Sequence, residues 1–219
     1  MFDTFGVNVE STSLDIILPV GISFYTFQTL SYTIDIYRGK MKATNDLVSF
    51  FAFVSFFPQL VAGPIERAKD LLPQFNDLKQ PDYRLIRSGL LLIGWGLFKK
   101  VVIADRLGRF VDGAHGSLED LSGGPAIIAA IFFAIQLYID FSAYSDIAIG
   151  CARTFGFNLS LNFNRPYLSK SFSDFWSRWH ISLSTWFRDY LYFPLGGSRN
   201  DKKWKNIRNV MIVFLVSGL

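Results

Sequence analysis

Cysteine and histidine are scarce in this 219-residue chain, with one of the first and two of the second. A lone Cys151 excludes an internal disulfide framework, and one cysteine with two histidines builds no zinc site of familiar spacing. In its apolar run Cys151 reads as a small buried residue. No Gly-x-Ser-x-Gly elbow occurs, so a soluble serine hydrolase has no anchor. No Walker A loop occurs either, which leaves a nucleotide-driven pump unsupported. Residues 1–10 carry two acids, no Lys or Arg and no apolar h-region, so they do not read as a secretory signal. Internal repeats and low-complexity linkers are also missing, and residues 1–219 read as one domain.

What the chain has is apolar bulk. Half its residues are hydrophobic and 23 are Phe, more than one soluble core of this size normally buries. The formal charge of +4 does not indicate nucleic acid, because Lys and Arg lie between apolar runs and not along one aromatic-interleaved patch. A bilayer crossing takes about 20 mostly apolar helical residues. Residues 125–151 are the strongest such span; 16–37 and 88–104 are also long enough, and 210–219 are apolar to the end. Residues 47–62, shorter and carrying Pro58 and Gln59, read as re-entrant or tilted. The fold class expected is all-α, a polytopic membrane protein with transmembrane and re-entrant helices.

Lys and Arg gather in short cytoplasmic loops. Residues 63–87 carry Arg67, Lys69, Lys79, Arg84 and Arg87, and a second loop carries Arg199, Lys202, Lys203, Lys205 and Arg208. The stretch 105–124 has four acids against two arginines and is placed outside. Both basic loops then lie inside, provided that 172–195 dips in and returns. Within the outer stretch, His115 sits in a Gly-rich polar loop and reads as solvated.

Candidate chemistry concentrates in 171–198, which is aromatic and ionisable at once. Ser173 before Asp174 is a helix cap in waiting, and helical spacing would set Trp176, His180 and Ser184 on one face, with Asp174 and Arg178 paired at i, i+4. Pro194 and the Gly196-Gly197 pair would end the element. A lipid-facing helix does not carry Asp174, Arg178, His180, Arg188 and Asp189, so the His180 face should line a cavity. Imidazole suits acyl transfer because its ordinary pKa lets it take and return a hydroxyl proton near neutrality. Spacing alone equally allows a structural histidine bonded to a neighbouring carbonyl or to Asp174. A second polar stripe, Gln136, Asp140 and Tyr144, recurs every four residues inside the strongest span. Asp140 could orient a histidine, pair with Arg178 or Arg153, or line an acyl path; the other reading is a packing network with Ser142 and Ser145. Asp146, on another side of that helix, serves a neighbouring segment. Gly94-Trp95-Gly96 permits close helix packing.

The run Phe-Trp-Ser-Arg-Trp-His-Ile-Ser-Leu-Ser-Thr-Trp-Phe-Arg-Asp-Tyr at 175–190 resembles the membrane-bound O-acyltransferase superfamily, in its alginate O-acetyltransferase-like branch more than its D-alanine-transfer branch. Three further stretches are similar to that branch: Leu-Pro-Val-Gly-Ile-Ser-Phe-Tyr-Thr-Phe-Gln at 18–28, Phe-Phe-Pro-Gln-Leu-Val-Ala-Gly-Pro-Ile at 56–65, and Tyr-Ile-Asp-Phe-Ser-Ala-Tyr-Ser-Asp-Ile-Ala-Ile-Gly at 138–150. The resemblance implies a multi-helix fold around a central funnel in a bacterial inner membrane, crossed several times. It implies transfer of an acyl group, acetyl by preference, toward hydroxyls of an extracytoplasmic polysaccharide such as alginate. It implies a cytoplasmic acyl donor, acetyl-CoA or an acyl carrier, with no tightly bound cofactor and no nucleic-acid partner, and acceptor delivery through an extracytoplasmic partner acetyltransferase. Of the family's two histidines, the Trp-His-Ile-Ser one maps onto His180. The second, in a Trp-His-Gly pattern, would begin where Ser217-Gly218-Leu219 stand, and earlier transmembrane segments would precede Leu18. The expectation is therefore a central fragment, inactive alone, in which His180 and its polar neighbours position substrate or shape the tunnel, Trp176 and Trp179 wall it, and Asp174 and Arg178 fix the helix face. Residue types alone also allow a transporter or flippase, which predicts paired halves not found here, or a scaffold whose ionisable residues only hold helices together.

Overall fold

The computed structural model describes residues 21–60, 63–77, 80, 82–116, 123–199 and 203–218. Among them every regular element is helical: α1 (Ile22–Tyr37), α2 (Leu47–Val54), α3 (Ala68–Asn76), α4 (Tyr83–Phe98), α5 (Asp105–Gly116), α6 (Gly124–Thr154), α7 (Phe172–Arg178), α8 (Ile181–Phe187) and α9 (Lys203–Ser217). A π-wound turn, Lys99–Ala104, joins α4 to α5, and another, Arg188–Tyr192, follows α8.

Local chemistry sets several of these ends. Gly21, at φ 80°, starts α1 where a Cβ would fall 2.0 Å from the Leu60 carbonyl oxygen. Asp46 caps α2 by accepting from the Val48 amide at 2.9 Å, and Asp82 caps α4 by accepting from the Leu85 amide at 2.8 Å. Pro125 occupies the first turn of α6, where its missing N–H costs nothing.

α6 is the axis of the molecule. Its 31 residues span about 46 Å at 1.5 Å each, and among the described residues it alone is long and apolar enough to cross a bilayer. The expected span 125–151 thus sits inside one helix. α4, the π turn and α5 run antiparallel along it. Gly89 and Gly150 face each other so closely that a Cβ on Gly89 would lie 2.6 Å from the Gly150 carbonyl oxygen. Gly96 is pressed against Ile147 and Ala143 in the same way, whereas Gly94 has open space around it. Small residues here let two backbones meet without intervening side chains.

Two expected boundaries are corrected. The span placed at 16–37 is a 16-residue helix beginning at Ile22, shortened by the Gly21 turn; residues 16–20 lie outside the described residues. The span at 88–104 does not end at Ala104, because helical winding continues through α5 to Gly116. His115 therefore sits on a helix and not in a loop, since α5 packs on α6 and that packing outweighs its local glycines. In the segment 47–62, where no full crossing was expected, Leu47–Val54 form an eight-residue helix about 12 Å long and turns follow as far as Leu60; residues 61 and 62 lie outside the described residues. The readings of residues 1–10 and of Lys79 and Lys202 fall outside the described residues.

Two clusters anchor the short elements. Phe53, Phe56, Leu71, Leu72, Ile149 and Phe157 pack α2 and α3 onto the C-terminal half of α6, with Phe56 and Phe157 ring centroids 4.8 Å apart. Ile65, Trp186, Phe187 and Tyr190 pack α8 onto α1, and Trp186 Nε1 donates to the Phe27 carbonyl at 2.9 Å. Elsewhere large apolar side chains face outward. Leu91, Trp95, Ile127, Ile131 and Met211 stand exposed on α4, α6 and α9. Cys151, expected to be buried, is only half-buried on α6.

Candidate functional site

The aromatic, ionisable stretch does not form one helix. α7 is capped by Ser171, whose hydroxyl accepts from the Asp174 amide at 3.1 Å, and not by Ser173. The chain then breaks: Trp179 is extended and His180 is left-handed at φ 41°. The physical cause lies in a neighbouring strand of chain. The Asn164 amide donates to the Arg178 carbonyl at 3.0 Å, and the Asn162 carbonyl accepts from the Ile181 amide at 2.8 Å. Segment 162–164 thus takes the groups that a continuous helix would have paired internally. His180 and Arg165 are the non-glycine residues at positive φ among the described residues, and both flank this junction. Such strain persists only where surroundings over-determine it. In consequence Trp176, His180 and Ser184 do not share the helix face expected of them.

Asn162, 1% exposed, is the hub. Its Oδ1 accepts from Ser182 Oγ at 2.6 Å, its Nδ2 donates to Ser145 Oγ of α6 at 3.1 Å, and Ser182 Oγ accepts from the Ile65 amide at 3.0 Å. Three separated parts of the chain therefore converge behind His180. Asp174 and Arg178 pair at 2.7 Å, and Asp174 also accepts from the Lys170 amide at 3.0 Å, so α7 is braced on its outer side.

The His180 ring lies against Phe141 of α6, centroids 4.7 Å apart and edge-on, and stacks at 6.5 Å on Phe163. Trp179 stacks on Phe175 at 5.6 Å and meets Phe163 edge-on at 5.2 Å; Trp176 meets Phe214 of α9 at 5.5 Å. His180 Nε2, among Phe141 and Phe163, and Trp176 Nε1, among Phe172, Phe175 and Phe214, are buried without hydrogen-bond partners among the described residues. Among the described residues neither Asp174 nor a carbonyl bonds His180 Nε2. Burial pushes its pKa down from 6.5 to about 4, so the ring is neutral near pH 7. A neutral imidazole with a free nitrogen can exchange one hydrogen bond with a hydroxyl or carbonyl, and an indole N–H can donate one.

The polar stripe of α6 sits beyond Phe141. Lys100 bridges Asp140 at 2.7 Å and Asp105 at 3.0 Å; Lys99 pairs with Asp146 at 2.7 Å and donates to Ser142 Oγ at 3.0 Å. Asp140 therefore meets neither His180, Arg178 nor Arg153. Its partner is a lysine that the π turn swings toward α6, since that winding changes the angular phase of consecutive side chains. Asp140 and Tyr144 line a cavity of about 480 Å³ with Lys100, Leu137, Phe141 and Ile147. Gln136 shares the stripe but lies outside that lining, one turn along toward Gly108. Asp174, Trp176, Arg178, Trp179 and His180 are not in this lining either, and Phe141, which is, lies against the His180 ring. Asn162, Phe141, Phe163 and the two lysines escaped the sequence reading. Adjacent lysines within an otherwise apolar helix were the one available signal, since each needs a partner there.

Residues 42–219 match the membrane-bound O-acyltransferase family. The chain belongs to that family. It is 48% identical over 204 residues to the probable alginate O-acetylase AlgI of Pseudomonas aeruginosa, covering 93% of this chain and 39% of that protein. It is 41% identical to the peptidoglycan O-acetyltransferase of Helicobacter pylori, covering 94% of this chain and 44% of that protein. To the teichoic acid D-alanyltransferase of Bacillus subtilis it is 29% identical, covering 89% and 49% respectively. The chain thus spans under half the length of each of these O-acyltransferase relatives.

Proposed function

We propose that this chain supplies part of the helical body of a multi-pass O-acyltransferase of the bacterial inner membrane, which passes an acyl group from a cytoplasmic donor toward hydroxyls of an extracytoplasmic polysaccharide. The relatives above are named for acyl transfer to three different polymers, alginate, peptidoglycan and teichoic acid, which supports a polymeric acceptor here. Acetyl is favoured over alanyl, because identity to the two acetyl-transferring relatives is 48% and 41% and to the alanyl-transferring one 29%. The exposed apolar flanks of α4, α6 and α9 support crossings by more than α6.

The observation that carries a role for His180 is its buried, unpartnered Nε2, held by a strained backbone in an aromatic enclosure with the Trp176 N–H likewise free. An orphaned polar atom costs stability, which is consistent with a group reserved for a substrate. In this reading His180 positions an acyl carbonyl or hydroxyl, Trp176 and Trp179 wall the passage, and Asn162 with the Asp174–Arg178 pair holds the junction in register. A passage past His180 requires Phe141 to turn, which would open the enclosure to the Asp140 cavity.

The test is polymer acetylation in cells carrying the complete enzyme with His180→Ala. Acetylation should fall at least tenfold with protein level unchanged, the effect of losing one positioning contact. Undiminished acetylation at normal abundance rejects His180 as a working residue.

A further inference from the structure

Apart from the aromatic enclosure around His180, the fold assembles a basic cleft. An open cleft of about 580 Å³ is lined by Arg38, Lys40, Arg67, Lys69, Asp189 and Phe193, four cations against one carboxylate. These come from the end of α1, the loop before α3, α3 itself and the π turn after α8. A topology signal alone does not require this. Lysines that only mark the inner side can sit anywhere on a loop, yet here tertiary contacts draw the charges together. Arg38 Nη1 reaches across 151 residues to donate to the Asp189 carbonyl at 3.2 Å, and Arg67 pairs with the Asp189 carboxylate at 2.7 Å. Both guanidinium groups lie over the Tyr190 ring, at 5.6 and 5.1 Å from its centroid. Tyr190 is fixed in turn by donating to the buried Asp35 at 2.5 Å. Arg38 and Lys69 have no carboxylate within ion-pair distance among the described residues, and Lys40 stands 3.9 Å from Asp35.

We propose that this cleft is a phosphate-binding site, taking a diphosphate or a phosphodiester through Arg38, Lys40, Arg67 and Lys69. Two preoriented guanidinium forks match phosphate oxygens, and the excess of three positive charges over the lining matches a polyanion better than a single carboxylate. The volume holds far more than one phosphate, at about 30 Å³ per water-sized group. The cleft lies beside the basic loop 63–87, which the charge pattern places on the cytoplasmic side, where the phosphate could belong to an anionic lipid headgroup or to a soluble ligand. Phe193, exposed at the cleft wall, offers an apolar contact to whichever carries it. The proposal does not depend on acyl transfer.

The experiment measures two probes on the complete protein purified in mild detergent: inorganic pyrophosphate by calorimetry, and vesicles of phosphatidylglycerol against phosphatidylcholine by co-flotation after detergent exchange. Arg38→Gln and Lys69→Gln, both at exposed positions, should each weaken binding on the order of tenfold, and raising the salt should weaken it further. Arg84→Gln, which removes a charge outside the cleft, should leave it unchanged. Pyrophosphate binding with this pattern identifies a soluble phosphate as the source; phosphatidylglycerol-dependent flotation with this pattern identifies a headgroup. Absence of both, or losses equal for Arg84→Gln, overturns the site and leaves only a topology signal. Because neither readout involves acetylated polymer, failure here is distinct from failure of the His180 test.

Discussion

Asn162 and Ser182, both buried, share a 2.6 Å hydrogen bond, with Ser182 two residues past His180. Through that bond and its backbone carbonyl, Asn162 decides where α8 begins. The left-handed turn at His180 is thereby a product of tertiary structure and not of the local sequence.

Replacing Asn162 by Ala should cost about 2–4 kcal/mol, because it strands the buried hydroxyls of Ser145 and Ser182 as well as losing its own bonds. Thermal unfolding in detergent reads this directly. A loss below about 0.5 kcal/mol would show that water or a rotated serine replaces the amide.

At the α4–α6 contact, Gly89→Ala should destabilise by about 1–3 kcal/mol, since its methyl would meet the Gly150 carbonyl and force the helices apart. Gly94→Ala, five residues on with nothing nearby, should instead stabilise α4 by up to about 1 kcal/mol through helix propensity. Equal effects of the two in the same unfolding assay would refute the close approach.

Burial of His180 predicts an acid sensitivity. With the folded pKa near 4 and an ordinary value of 6.5, the unfolded chain takes up a proton between those limits that the folded chain refuses. Stability should therefore decline as pH falls from about 6.5 toward 4, at up to about 1.4 kcal/mol per pH unit, and His180 should contribute no slope above 6.5. Comparing denaturation of the parent with His180→Gln isolates the contribution. Parallel pH profiles would mean that the ring is solvated.

How much of this was legible beforehand varied with the range of the forces involved. The strongest span was readable because an apolar run of helical length needs no partner to declare itself. The Asp174–Arg178 pair was readable for the same local reason. Ser171 displaced Ser173 as the cap because the helix start is fixed by how segment 162–164 holds its far end, a contact no window of neighbouring residues contains. Asp140 was correctly singled out as needing company, but its partner could not be named, because α-helical phasing points Lys99 and Lys100 about 100° apart and gives no reason for both to reach α6.

That phasing carries a consequence for how the chain tolerates length changes. A π-wound turn accommodates a surplus residue within the rod from Tyr83 to Gly116. Excising one residue between Lys99 and Ala104 would restore ordinary winding and leave everything downstream in its present phase. α5 would keep its packing side toward α6, and the cost would fall on the contacts of Lys99 and Lys100 with Asp146 and Asp140. The same deletion in the α-wound part of α4 would turn the rest of the rod by about 100° and uncouple its two halves.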